Sequence, residues 1–192
     1  MLEVFFSKND LLTVREAKNL GISRYKLFNL VKKGYLERLK NGIYKKRETL
    51  SDEFAAISIK NENVVFSYHT ALFLYDLSDR VPNIFHISVP QGYNVRHIKK
   101  HTNSIKVHYI KRENFELGIS EIKTPYGNKV KIYDLERTIC DIVSQRRNID
   151  RQIYVDALKG YFKRRDKNLR KLIKYSVILG VEEEIRKYIE IL

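Results

Sequence analysis

LTVREAKNLGISRYKLFNLVKKGYLERLKNGIYK, residues 12–45, is the stretch whose reading decides the fold. Thr13-Val14-Arg15-Glu16 has the spacing of a capping box, in which the Thr13 hydroxyl accepts from the N–H of Glu16 and the Glu16 carboxylate reaches back to that of Thr13. A short helix through Leu20 follows, and Gly21 supplies a residue that turns sharply without a Cβ clash. Ser23 is a favourable N-cap for a second helix, Arg24 to Lys33, which Gly34 ends. Tyr35 to Leu39 and Ile43 to Lys45 read as short strands around Lys40-Asn41-Gly42, where Asn-Gly is a strong hairpin signal. Helix, turn, helix, hairpin is the order of a winged helix-turn-helix.

At about 100° per residue, Leu27, Leu30 and Val31 of the second helix form an apolar stripe, with Ile22 just before it. Tyr25, Asn29 and Lys32 fall on the opposite side, flanked by Arg24, Lys26 and Lys33. Asn pairs bidentately with adenine, and Arg or Lys with guanine or phosphate, so this face has groove-reading chemistry. Between Arg15 and Arg47 there are eleven Lys or Arg against two acids, Glu16 and Glu37. The candidate DNA contacts are Arg15, Arg24, Tyr25, Lys26, Asn29, Lys32 and Lys33, with Lys40, Asn41 and Lys45 from the hairpin. The plainer alternative is a solvated charged face on a protein-binding module.

The whole chain carries the same bias. Its 192 residues suit one or two domains, 43% hydrophobic residues suffice for real cores, and a formal charge of +14 favours a polyanionic or acidic partner. One cysteine, Cys140, excludes an intramolecular disulfide and fits a reducing cytoplasm. No apolar run is long enough to span a membrane. Met1 to Asn9 lacks the basic start and apolar core of a signal peptide, and is expected to be a short helix seating Leu2, Phe5 and Phe6 on the winged unit.

Lys45 to Glu48 marks a boundary, dividing the chain into residues 1–48 and a mixed α+β domain over 49–192 with a helical C-terminal subdomain. Ser51 is the expected N-cap of a helix over Asp52 to Lys60, and Tyr68 to Leu77 suggests another behind the apolar Val64 to Phe66. Phe85 to Val89 and Ile105 to Tyr109 alternate like half-buried strands. Ile119 to Lys123 and Lys129 to Tyr133 flank a Pro125-Tyr126-Gly127-Asn128 turn. Helices follow: Leu135, Ile139 and Ile142 share one face, with Arg137 and Asp141 on the other. Further helices begin near Asp150, at Asn168 (ended by Gly180) and at Glu182.

Residues 12–23, Gly34-Tyr35-Leu36-Glu37-Arg38-Leu39 and Gly42-Ile43-Tyr44 resemble the N-terminal domain of AbiEi-type antitoxins. Ser67-Tyr68-His69-Thr70-Ala71-Leu72, Ile87-Ser88-Val89-Pro90 and Tyr133 to Asp141 resemble that family's second domain, so the likeness runs through nearly the whole chain in order. It implies an antitoxin of a type IV, abortive-infection toxin–antitoxin pair. In such pairs the first domain represses the operon promoter at inverted repeats in double-stranded DNA. The second supports neutralisation of a nucleotidyltransferase-like toxin, without requiring a stable complex, and no cofactor is implied.

Other chemistry finds less support. Glu121-Ile122-Lys123 has the E-x-K form of some metal-dependent nucleases, but the nearest upstream acids, Asp76 and Asp79, lie on no convincing strand. His97 and His101 are four apart, yet the intervening Lys99 and Lys100 would repel a cation, and no Glu stands where a zinc hydrolase helix needs one. Cys140 has no local catalytic partner. The remaining rival is a winged-helix regulator with a ligand-sensing second domain, which needs a polar-lined pocket. Arg146, Arg147, Arg151, Lys163, Arg164 and Arg165 crowd the helical subdomain and read as an extra phosphate track, solvated helix faces or a docking site for an acidic protein.

Overall fold

The computed structural model describes residues 1–192 apart from 8, 41, 60, 100–103 and 192, and apart from the side chains of His97, Lys99 and Ile191. Internal contacts divide the chain into two units, Met1–Glu62 with Lys123–Lys129, and Asn63–Ile122 with Val130–Leu192.

The first unit runs α1 (Leu2–Phe6), β1 (Leu11–Thr13), α2 (Val14–Asn19), α3 (Arg24–Lys32), β2 (Leu36–Lys40), β3 (Ile43–Lys46) and α4 (Glu53–Ser58). The capping box forms: Glu16 N donates to Thr13 Oγ1 at 3.2 Å, and Thr13 N to Glu16 Oε2 at 2.8 Å. Ser23 caps α3 by accepting from Lys26 N at 3.2 Å. Gly21 and Gly34 take φ of +70° and +77°, a region that costs other residues strain, so each bend is tied to a glycine. β1 is an addition to the elements expected. It pairs antiparallel with β3, Leu11 opposite Lys45 and Thr13 opposite Ile43, so the hairpin becomes a three-stranded sheet, β1-β3-β2, with β3 central.

Leu12, Ala17, Ile22, Leu27 and Leu36 are buried together, and Leu2, Phe5, Phe6, Leu30 and Val31 pack against them. The apolar stripe of α3 therefore faces inward, and α1 covers this core as expected. A second cluster joins Leu11 and Ile43 to Ala55 and Ala56 of α4, so the junction expected at 48/49 lies inside this unit. Asp52, not Ser51, caps α4: its Oδ1 accepts from Ala55 N at 3.0 Å. Asp52 Oδ2 accepts from Thr124 Oγ1 at 2.5 Å and Asn128 Nδ2 at 2.9 Å, which brings the turn at 123–129 into the first unit. Asp52 is buried, so its side-chain oxygens depend on these protein donors in place of water.

The remainder runs β4 (Val65–Phe66), α5 (Tyr68–Leu74), β5 (Phe85–Pro90), α6 (Arg96–Lys99), β6 (Ile105–Ile110), α7 (Arg112–Phe115), β7 (Ile119–Lys123), β8 (Lys129–Tyr133), α8 (Leu135–Ser144), α9 (Arg151–Lys163), α10 (Leu169–Ile178) and α11 (Glu182–Ile191). The five strands lie in the order β6-β5-β4-β8-β7, with β5 parallel to β6 and antiparallel to β4. β5 corrects the half-buried expectation: Phe85 to Val89 are all buried, because the strand is flanked by β4 and β6 and covered by α5. β6, at the sheet edge, keeps Lys106 and Tyr109 exposed. Leu72, Ile139, Ile142, Leu158, Tyr161, Leu172 and Ile185 form the core of the helical subdomain. The architecture is mixed α+β, and no helix among the described residues is long and apolar enough to cross a membrane.

Candidate nucleic-acid interface

α3 presents its polar side outward because its apolar stripe is taken up by the core. Arg24, Tyr25, Lys26, Lys32 and Lys33 are exposed, and Asn29 is half-buried at their centre. The helix sequence, RYKLFNLVK, contains no acid, so its cations meet no opposing charge from their own helix. Arg15 is exposed on α2. Lys40 is half-buried at the end of β2, where desolvation lowers its pKa and Glu53 pulls it partly back. Asn41 lies outside the described residues.

Lys45 requires a correction. Only 6% exposed, it lies on the central strand; its Nζ donates to Thr49 O at 2.6 Å and pairs with Glu37 at 3.3 Å. A cation held this way is not available to a phosphate. Conversely, Phe28 was passed over, although it is 63% exposed and stands one turn from Tyr25, itself 75% exposed. Helical spacing alone could have found it, since Phe28 falls outside the Leu27, Leu30, Val31 stripe.

The cations of the helical subdomain divide into two sets. Arg146 is paired with Glu184, and Arg164 grips Asp166 through Nε and Nη2 at 2.8 Å each while Nη1 donates to Tyr75 O at 3.1 Å. In these two the guanidinium already meets a carboxylate, from α11 and from two residues on, which would compete with a phosphate contact. Arg147, Arg151, Lys163 and Arg165 are exposed, and no ion pair involves them among the described residues.

Two polar clusters lie inside the second unit. Arg137, 1% exposed, pairs through Nε with Asp141 Oδ1 at 2.9 Å, donates from Nη1 to Asn114 O (2.7 Å) and Leu117 O (2.8 Å), and lies 4.1 Å from the Tyr133 ring centroid. Burial pushes the Asp141 carboxyl up to about 6 against the pull of Arg137. In the second cluster His108 Nε2 and His86 Nδ1 are 3.1 Å apart, the His69 and His86 rings are 4.5 Å apart, and Tyr68 stacks on His108 at 3.9 Å. Burial, with neighbouring His69 and Lys106, holds His86 down to about 3 and His108 to about 4, so these imidazoles are neutral near pH 7. Single-strand patterning could not find this cluster, since α5 supplies Tyr68 and His69, β5 supplies His86 and β6 supplies His108.

Of the catalytic candidates, Glu121 and Lys123 are exposed on β7, Asp76 and Asp79 are exposed beyond α5, and His101 and the His97 side chain lie outside the described residues. Cys140 is buried, and its thiol is pushed up to about 12 by that burial. Among the described residues no group of three or more His, Cys, Asp or Glu is placed to hold a metal ion.

Residues 1–44 match the family model described as transcriptional regulator, AbiEi antitoxin. No curated protein matches the chain. Among solved structures, the chain is similar to the crystal structure of the RV2827C protein from Mycobacterium tuberculosis, with a TM-score of 0.62 and 13% identity over 91% of this chain and 69% of that one. At that identity the likeness is one of fold.

Proposed function

We propose that the protein is a DNA-binding antitoxin that represses its own toxin–antitoxin operon and counteracts a nucleotidyltransferase-like toxin in phage defence. The observation that carries the DNA-binding half is the acid-free, outward-facing side of α3, within the residues that match the antitoxin regulator family. On this reading α2 and α3 form a helix-turn-helix and β2–β3 the wing. Arg24, Tyr25, Lys26, Asn29, Lys32 and Lys33 enter the major groove, and Arg15 and Lys40 touch the backbone beside it. Arg147, Arg151, Lys163 and Arg165 add phosphate contacts.

The antitoxin half rests on the resemblance of 67–72, 87–90 and 133–141 to the family's second domain. Those segments are mostly interior: Ser67, Thr70, Ser88, Arg137 and Thr138 are all buried. They support a shared fold and do not locate a toxin-facing surface. The test is a full-length Arg24→Ala, Lys32→Ala variant, assayed for repression of its own upstream region and for rescue of growth against a co-expressed neighbouring nucleotidyltransferase. Lost repression with retained rescue supports both halves, whereas a wild-type chain that neither shifts its upstream DNA nor rescues growth overturns them.

One observation favours a second reading, a regulator with a ligand-sensing second domain. A cavity of about 430 Å³ at the end of β5 is lined by Asn63, Gln91, Tyr93, Asn94, Arg112 and Glu116, among others, a polar lining suited to a small anionic or amide ligand. A metabolite that releases the protein from DNA, and fails to do so in an Arg112→Ala variant, would establish it.

A further inference from the structure

Phe28 and Tyr25 are the large apolar side chains among the exposed residues of α3, the others being the cations Arg24, Lys26 and Lys32. Buried aromatics stabilise a core, and a single exposed one needs no explanation. Two on adjacent turns of the same outward face form a small apolar strip, and by helical spacing its neighbours are Arg24 and Lys32, four residues either side of Phe28, and Asn29, four beyond Tyr25. An acid-free basic border selects a polyanion over an apolar protein groove. In the major groove of DNA the apolar feature is the thymine 5-methyl group, and Phe is among the side chains that contact it. Residues three apart on a helix are separated by about 4.5 Å along its axis, on the order of one base step, so the two rings can address neighbouring base pairs.

We infer that Phe28, with Tyr25 beside it, is a specificity-determining residue that reads thymine methyl groups in the major groove. This rests on the DNA-binding reading and adds to it the chemical feature that the site must contain. Asn29 and the cations supply hydrogen bonds and charge, and the aromatic pair supplies a contact that no hydrogen bond reports. Because Phe28 is exposed, its loss removes no core contact, and Phe28→Ala is expected to keep the wild-type melting temperature.

The experiment uses the full chain and the tightest duplex selected from a randomised pool, in which thymines are replaced one at a time by deoxyuridine. This substitution removes the methyl and leaves every hydrogen-bonding group in place. Wild type is expected to lose roughly fourfold in affinity at one or two thymines, the equivalent of burying one apolar carbon apiece. Phe28→Ala is expected to bind the parent duplex more weakly and to be indifferent to deoxyuridine at those same positions, with the salt dependence unchanged. Tyr25→Ala should lose sensitivity at the adjacent position. Wild-type binding that is tight and sequence-selective yet equal on thymine and deoxyuridine duplexes overturns the inference and leaves the DNA-binding reading standing. So does methyl discrimination that survives in both Phe28→Ala and Tyr25→Ala. A pool from which no sequence is enriched overturns both.

Discussion

Asn29 and Lys32 occupy one side of α3 but offer different chemistry, and their removal should have different signatures. Asn29→Ala is expected to relax preference at one base pair by about 1–3 kcal/mol of discrimination. Lys32→Ala should weaken binding to all sequences and lower the slope of log affinity against log salt by about 0.9. Competition against scrambled DNA over a salt series separates them, and equal losses with unchanged specificity would remove Asn29 from base reading. His86 gives a prediction of another kind. Its folded pKa of about 3 lies below the ordinary 6.5, so between those values the unfolded chain holds the extra proton. Stability then rises with pH through that window, is complete above it, and is lost as pH falls. From pH 7 to pH 5 the loss from His86 is on the order of 2 kcal/mol, and His86→Asn should make the urea-midpoint profile shallower while His108, also held below its ordinary value, keeps the rest of the slope. A wild-type profile that is already flat over that range would contradict the burial of a neutral imidazole. The outward residues of α3 were legible because a helix sorts its faces by spacing alone. His86 was not, because alternation assigns it to a solvent face that α5 in fact covers.

α8 marks where helical spacing reaches its limit. Arg137 and Asp141 fall on the side away from Leu135, Ile139 and Ile142, and by periodicity alone that side would be wet. It is dry, because the carbonyls of Asn114 and Leu117 come across to meet the guanidinium. Removing one partner of a buried pair strands the other charge, so Arg137→Met is expected to cost about 3–5 kcal/mol. Arg137→Met with Asp141→Leu should recover much of it, since no charge is left behind. Urea unfolding of both variants checks this, and a double variant no more stable than the single one would mean that Arg137 acts mainly through its carbonyl contacts. Among the strands, β1 escaped sequence reading for a simpler reason. Three residues are too few to alternate, and Thr13 already had a visible role as a helix cap. The local signals that succeeded, the caps at Thr13, Ser23 and Asn168, each operate within three or four residues.

At the scale of the molecule a charge of +14 predicts salt-sensitive binding to duplex DNA, and the ion pairs decide which cations contribute. Arg147→Ala with Arg165→Ala should reduce the salt slope by roughly one to two units while sequence preference survives. Arg164→Ala should leave the slope unchanged, because its charge is already met by Asp166. Filter-binding titrations on one duplex compare the two, and an unchanged slope in the Arg147, Arg165 variant would confine DNA contact to the first unit. The basic composition was plain in the sequence. Which charges were free was not, since Glu184 reaches Arg146 only after four helices have folded together. The Asp52 carboxylate has a consequence for recombination. Its donors Thr124 and Asn128 are encoded far downstream, so the first unit is not a contiguous cassette. A chimera carrying residues 1–62 on a foreign effector would lose the two side-chain donors, Thr124 and Asn128, that Asp52 Oδ2 accepts from. Exchange of this reader between proteins would therefore favour partners that bring a turn of their own to the same carboxylate.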